Sequence, residues 1–251
     1  MMGRLTLMYV CLLFNLILDV QFQIATARRT ECESSSSTSS TTFSTPWELE
    51  KIFKDRCHKH VNSCPFSTGK NCDDLWNTFH DSFAYKDPCI NESDYTEYFN
   101  KAKHYTRKDK TLFYSGVQPY EESHKDPIPY TTLENTLIGN MLDKVDTWCG
   151  KYDDQGINYV QCPDRNYCMR PLSTAKCAFW IKASIEFAQL ATGQVQVLLD
   201  GAKKNGDPAY DSDSFFSRYE LPHLNTEKVT MVNILVMYST KKSFYSVVAI
   251  C

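Results

Sequence analysis

Two carboxylates sit where their surroundings favour chemistry over simple solvation. Glu134 lies within Thr131-Thr132-Leu133-Glu134-Asn135-Thr136-Leu137-Ile138-Gly139, which runs on to Thr147-Trp148-Cys149-Gly150. Leu133, Leu137 and Met141 recur at i, i+4 and i+8, so an expected helix carries them on one face. Glu134 neighbours that face and can tip into a cleft, although a Glu that simply faces water fits the same spacing. Glu220 lies within Ser214-Phe215-Phe216-Ser217-Arg218-Tyr219-Glu220-Leu221-Pro222-His223-Leu224, among apolar and hydroxyl residues. A carboxylate in that setting is desolvated and reactive. A salt bridge to Arg218 or a helix cap accounts for it equally well from the local sequence.

The elements that must position these acids follow from periodicity. Proline at Pro46, beside Trp47, suits the start of a first helix and of the folded part. Residues 73–85 read as a helix with Leu75, Trp76, Phe79 and Phe83 on one stripe. Another helix opens at Ser93-Asp94-Tyr95-Thr96-Glu97, with Ser93 as its expected cap. Residues 110–116 read as a short strand, and 118–130, with Pro119, Pro127 and Pro129, as irregular. Residues 174–191 form the clearest helix, carrying Phe179, Trp180, Ala183, Phe187 and Leu190. Residues 194–199 read as a strand with Asp200-Gly201 as its turn. Val229 to Tyr238 is a near-continuous apolar run, which fits a parallel strand covered on both faces. The expected fold is therefore α/β: a helical N-terminal part, then a C-terminal part with a small parallel sheet.

Composition narrows the classes. The 251 residues can bury a core, and a net charge of −3 provides no basic field for nucleic acid. Arg4, the apolar run from Leu5 to Leu18 and Ala25-Thr26-Ala27 have the pattern of a signal peptide over 1–27. That run is too short and too interrupted for a good membrane span. Residues 28–46 are Ser/Thr-rich and are expected to form a disordered stalk. The chain has 11 cysteines, of which Cys11 leaves with the leader, and the even remainder implies disulfides in an exported protein. Asn91-Glu92-Ser93 is a glycosylation acceptor. His58, His60 and Cys64 have the donor types for zinc, but an oxidising compartment disfavours that use, and no metal is expected.

Several motifs occur together in one order. They are Thr-Leu-Glu-x-Thr-Leu at 132–137, Thr-Trp-Cys-Gly at 147–150 and Ile-Asn-Tyr at 157–159. Cys-Pro-Asp at 162–164, Phe-Trp at 179–180 and Glu-x-x-x-Leu at 220–224 follow. Together they resemble the ADP-ribosyl cyclase / NAD glycohydrolase family of ectoenzymes, over roughly residues 47–238. The resemblance implies an active site in the cleft between the two parts of a disulfide-stapled fold. It implies that Glu220 is the catalytic glutamate, which stabilises a ribosyl cation, and that Glu134 contacts the nicotinamide carboxamide. It gives Trp180 the role of an aromatic platform, and places Ser184, Ser115 and Phe216 in the substrate-binding set. Tyr114 stands where the family usually has Trp, and Asn135 where many relatives have Asp. The pairings it implies are Cys57–Cys72, Cys89–Cys168 and Cys149–Cys162. Cys64–Cys177 is a guess, and Cys32 and Cys251 stay unassigned.

The implied chemistry is physically economical. The nicotinamide of NAD is a cation that leaves as a neutral base, so departure needs no general acid. An ordinary glycosidase uses two carboxylates, whereas here one suffices to steady the oxocarbenium charge. The expected function is extracellular cleavage of NAD, or NADP, to ADP-ribose and nicotinamide, with weak cyclisation because Tyr114 is a smaller platform. NAD is then a substrate, no resident cofactor is needed, and a membrane is met only through an anchor absent from this chain. The alternative is a catalytically inactive, disulfide-rich binding module that keeps the fold. The catalytic domain is expected over 47–242. Residues 243–251 are expected to be a divergent tail, leaving the sheet short of an edge.

Overall fold

The computed structural model describes residues 44–238, except 65–66, 68, 104, 117–129, 153–155, 165–167, 169–171 and 204–206, together with the backbone of 243–249. The expected signal peptide, most of the expected stalk, Cys32, Cys251 and nearly all of the proline-rich segment lie outside the described residues.

The N-terminal part is helical. Helix α1 spans Leu49–Ser63 and buries Leu49, Phe53 and Cys57, which recur at helical spacing. Helix α2 spans Cys72–Phe83, and the Asn71 side chain caps it by accepting from the N–H groups of Asp73 and Asp74. It ends two residues earlier than its pattern implies. Tyr85 takes a left-handed φ of 57°, and its N–H turns away to the Gly156 carbonyl at 2.8 Å. The cap expected at Ser93 belongs to Asn91 instead. The Asn91 side chain accepts from the Ser93 N–H and Asp94 returns a bond to the Asn91 N–H, closing a capping box over the 3-10 turn Glu92–Tyr95. Helix α3, Thr96–Ala102, follows directly.

Aromatic rings fill this part. Phe79 is fully buried. Its ring centroid lies 5.1–6.0 Å from those of Phe53, Trp76, Phe83, Tyr95, Tyr98, Trp148 and Phe179. The polar atoms that enter this cluster are largely matched. The indole Nε1–H of Trp148 donates to the Tyr95 hydroxyl at 2.9 Å, and that hydroxyl donates to the Ala175 carbonyl at 3.0 Å.

The expected helix through Glu134 is not continuous. Leu133–Asn135 form a 3-10 turn, Thr136 is extended, and helix α4 covers only Leu137–Leu142. Thr136 causes the break by capping α4 with its side chain, which accepts from the Gly139 N–H. The turn folds back so tightly that a Cβ on Gly139 would lie 2.1 Å from the Leu133 carbonyl oxygen. Leu133, Leu137 and Met141 are nevertheless all buried.

The C-terminal part is built on helix α5, Ala175–Leu190, which Thr174 caps. A two-stranded ribbon, β1 (Cys89–Ile90) with β3 (Ser173–Thr174), leads into it. The main sheet has β2 (Thr111–Ser115), β4 (Gly193–Asp200) and β5 (Val229–Tyr238) in parallel, in the order β2-β4-β5. Strand β6, Ser243–Ala249, adds an antiparallel edge to β5 through its backbone, so the sheet is not short of that edge. Gly193, Val195, Val197 and Leu199 are buried on alternate positions of β4. The expectation that β5 is covered on both faces does not hold: Val229 and Val232 are buried, but residues 233–237 are only partly covered. Helix α5 joins the two parts. Its Phe179 enters the aromatic cluster, while its Phe187 packs on Phe113 of β2 at 5.2 Å.

The disulfides Cys57–Cys72, Cys89–Cys168 and Cys149–Cys162 form. A Cys64–Cys177 bridge does not, because Cys64 keeps a free thiol and Cys177 is bonded elsewhere. Among the described residues no helix is long and apolar enough to cross a membrane.

Removing the central ring should be costly. Phe79→Ala is expected to destabilise the fold by about 3–5 kcal/mol. Tyr95→Phe, which leaves the Trp148 N–H unpaired, should cost about 1–3 kcal/mol. Urea midpoints of the oxidised protein measure both, and a smaller loss for Phe79→Ala than for Tyr95→Phe would contradict this ranking.

Candidate active site

Helix α5 forms the wall on which the acids converge. Trp180 and Ser184 are one turn apart on it, Trp180 half-buried and Ser184 fully buried. The turn carrying Glu134 and the turn carrying Glu220 both pack on α5, and the Glu220 turn also packs on β2. Two distant stretches of sequence thus meet across one helix.

Glu220 is 7% exposed, and its Oε1 accepts a hydrogen bond from the Ser184 hydroxyl at 3.1 Å. Neither ordinary account of Glu220 holds. Arg218 pairs with Asp213 instead, and the Glu220 side chain makes no cap bond to the following 3-10 turn, Leu221–His223. Burial pushes the Glu220 carboxyl up to about 8, the Ser184 hydrogen bond opposes this, and the negative charge of Glu134 adds to it. Glu134 is half-buried rather than solvated, and its Oε2 is fully buried with no hydrogen-bond partner. A buried carboxylate oxygen without a donor is rare, and it marks a place where a donor fits.

The remaining residues take different positions. Tyr114 and Ser115 end β2, and both are partly exposed. Strand alternation puts Ser115 on the same face as Phe113, toward α5, and Tyr114 on the opposite face. Phe216 is only 3% exposed, with its ring 5.9 Å from that of Phe113. Its ring is enclosed within the fold beside β2. Trp180 stands perpendicular to Phe179 at 5.3 Å, and part of the indole stays accessible. Asn135 is exposed and donates to the Thr132 hydroxyl at 3.0 Å. Among the described residues no group of His, Cys, Asp and Glu is arranged to hold a metal. The site is acidic, hydroxylic and aromatic, which suits an organic cation.

The sequence reading missed how Glu220 is presented. Residues Phe216–Glu220 form a π-helical turn, in which the Leu221 N–H bonds the Phe216 carbonyl five residues back. The signals were present in Ser214 and Ser217, three residues apart ahead of Pro222, but hydroxyl spacing alone does not specify a π register.

The family model described as ADP-ribosyl cyclase matches residues 46–248. The chain belongs to the ADP-ribosyl cyclase family. An ADP-ribosyl cyclase/cyclic ADP-ribose hydrolase of Aplysia kurodai is 38% identical over 205 residues, which is 78% of this chain and 69% of that protein. The human ADP-ribosyl cyclase/cyclic ADP-ribose hydrolase 2 is 32% identical over 76% of this chain and 58% of its own length. Porcine CD38, solved with a covalent intermediate, superposes with a TM-score of 0.71 at 31% identity, covering 81% of this chain and 87% of that one.

The buried acid gives a test that needs no substrate. The folded state keeps its proton up to about 8, whereas an unfolded Glu releases it near 4.5. Stability is therefore full below the lower value and is lost as pH rises toward the upper one, at about 1.4 kcal/mol per unit. Glu220→Gln should match the wild type near pH 4 and exceed it by a few kcal/mol near pH 9. Equal urea midpoints at the higher pH would show that Glu220 is not desolvated.

Proposed function

We propose that this protein is an extracellular NAD glycohydrolase that cleaves the nicotinamide–ribose bond and releases ADP-ribose, with cyclic ADP-ribose as a minor product. One observation carries the reading: a desolvated Glu220, bonded to Ser184, lies within electrostatic reach of Glu134, whose Oε2 lacks a donor. The similar structure of Aplysia cyclase, complexed with substrate NGD and product cGDPR, supports a nicotinamide-type nucleotide as substrate.

Each residue then has a task. The substrate arrives carrying a positive pyridinium ring. That charge lowers the pKa of Glu220, so the carboxylate forms when the cation is beside it. The carboxamide N–H donates to the unpartnered Glu134 Oε2, which aligns the ring. The Trp180 indole takes the ring face, worth about 0.5–2 kcal/mol. The nicotinamide–ribose bond breaks with its electron pair going to the ring, so nicotinamide leaves neutral and the ribose becomes cationic. Glu220 steadies that charge, or closes on it as an ester. The similar structure of porcine CD38, complexed with a covalent intermediate, supports a covalent route. The Ser184 hydroxyl holds one oxygen of Glu220 so that the other faces the sugar. Water then adds to the ribose carbon, breaking the Glu220 ester bond where one has formed and returning the carboxylate, and its proton passes to Glu220 or to solvent.

NAD is the substrate in this scheme and no resident cofactor takes part. NADP fits the same chemistry. Export to the cell exterior fits the disulfides seen among the described residues, and Asn91, half-buried at its cap, is the proposed glycan acceptor. The smaller ring of Tyr114, at the end of β2 where the family usually carries Trp, favours water over the returning adenine.

Glu220→Gln should lower kcat on NAD by about 10²–10³-fold or more while the fold persists. A non-catalytic binding module would have no turnover to lose. For the wild type, kcat/KM should fall about tenfold per pH unit below about 8, because it reports the free enzyme. A flat profile from pH 6 to pH 8 would contradict the role given to this ionisation. Tyr114→Trp should raise cyclic product relative to ADP-ribose, as read by chromatography of the products. An unchanged ratio removes Tyr114 from the account of product choice.

A further inference from the structure

The loop ahead of Glu220 contains a hydroxyl clamp that local helix propensity does not explain. The Ser214 hydroxyl donates to the Asp211 carbonyl at 2.8 Å, and the Ser217 hydroxyl donates to the same carbonyl at 2.5 Å. The two hydroxyl oxygens are 3.0 Å apart. The Ser217 N–H also donates to the Ser214 hydroxyl at 3.2 Å. Asp211 is itself held: its Oδ1 accepts from the Asp213 N–H at 2.9 Å, and its Oδ2 pairs with Lys203 at 3.2 Å. Asp213 in turn holds Arg218.

The register changes just beyond this clamp. The Arg218 N–H bonds the Ser214 carbonyl four residues back, at 3.1 Å. The Leu221 N–H instead bonds the Phe216 carbonyl five residues back. In an α register the Leu221 N–H would take the Ser217 carbonyl. Pro222 has no N–H to extend an α ladder, and His223 Nδ1 lies 2.9 Å from the Tyr219 carbonyl oxygen. The extra residue rotates Glu220 relative to an α-helix begun at the same place.

We propose that Ser217, together with Ser214, is a positioning residue for Glu220: the paired hydroxyls hold the turn in the wide register that points the carboxylate at Ser184. The proposal rests on the catalytic reading of Glu220 given above. The groups that face Glu220 are Ser184 from α5 and Glu134 from its own turn, and Arg218 is committed to Asp213. Relaxing the register turns the carboxylate away from α5 and toward water. The acid limb of its pH profile then moves down, which a loss of stability alone does not do.

The experiment compares Ser217→Ala, Ser214→Ala and the double variant with Ser217→Thr and Glu220→Gln, using NAD turnover and urea midpoints. In the double variant kcat should fall at least tenfold, with the acid limb of kcat/KM at least one pH unit lower. Ser217→Thr, which keeps the hydroxyl, should restore most of both. If the double variant does not fold, the single variants decide, each expected to show a smaller shift in the same direction. Wild-type kcat and an unmoved limb in the alanine variants would overturn the proposal whatever their stability. Full turnover by Glu220→Gln would instead overturn the catalytic reading beneath it.

Discussion

A carboxylate held out of water, with one oxygen bonded to a hydroxyl and a second acid nearby, is the constraint to which this structure answers. An ionised Glu220 would be expensive in the free protein, because burial removes its hydration and Glu134 adds a like charge. The free protein therefore favours the protonated acid. A site built this way discriminates by charge before it discriminates by shape. It is unfavourable for its own negative charge and becomes favourable once a positive ring shares the space. In the proposed reaction that makes the acid a latent group, released by the substrate on which it acts.

Holding such an acid in place requires a rigid wall, and α5 supplies it by belonging to both parts of the molecule. Its Phe179 is locked among rings from α2, α3 and the Trp148 segment, and its Phe187 is locked against β2. Ser184 lies between those two anchors and has little freedom to move. The disulfides add to this from outside. Cys149–Cys162 and Cys57–Cys72 close short loops, and Cys89–Cys168 spans a sequence separation of 79 residues close to the ribbon that starts α5. Each closure restricts the unfolded chain by about 2–4 kcal/mol.

Much of the scaffold was legible because burial and periodicity are local records. The stripe Leu75, Trp76, Phe79 and Phe83 announced α2, and the run 194–199 announced β4. Misreadings occurred where a side chain competed with the backbone. Thr136 capped a helix that its apolar spacing made look continuous, and Asn91 took a cap that local propensity assigned to Ser93. The π-helical turn at Glu220 was also hidden. It follows from hydroxyls converging on one carbonyl, which no residue-by-residue preference encodes.

The sequence by itself determined which groups were available: two acids set among apolar neighbours, an indole and a serine one helical turn apart, and cysteines suited to an oxidising compartment. Those follow from residue type and spacing, which are properties of the chain. The tertiary structure alone decided that Glu134 and Glu220, 86 residues apart in the numbering, share one helix as their wall. It alone decided that Arg218 pairs with Asp213 rather than Glu220 and that Phe216 is buried beside Phe113. The reason is that desolvation and charge proximity depend on distance through space, and only the packed fold sets those distances.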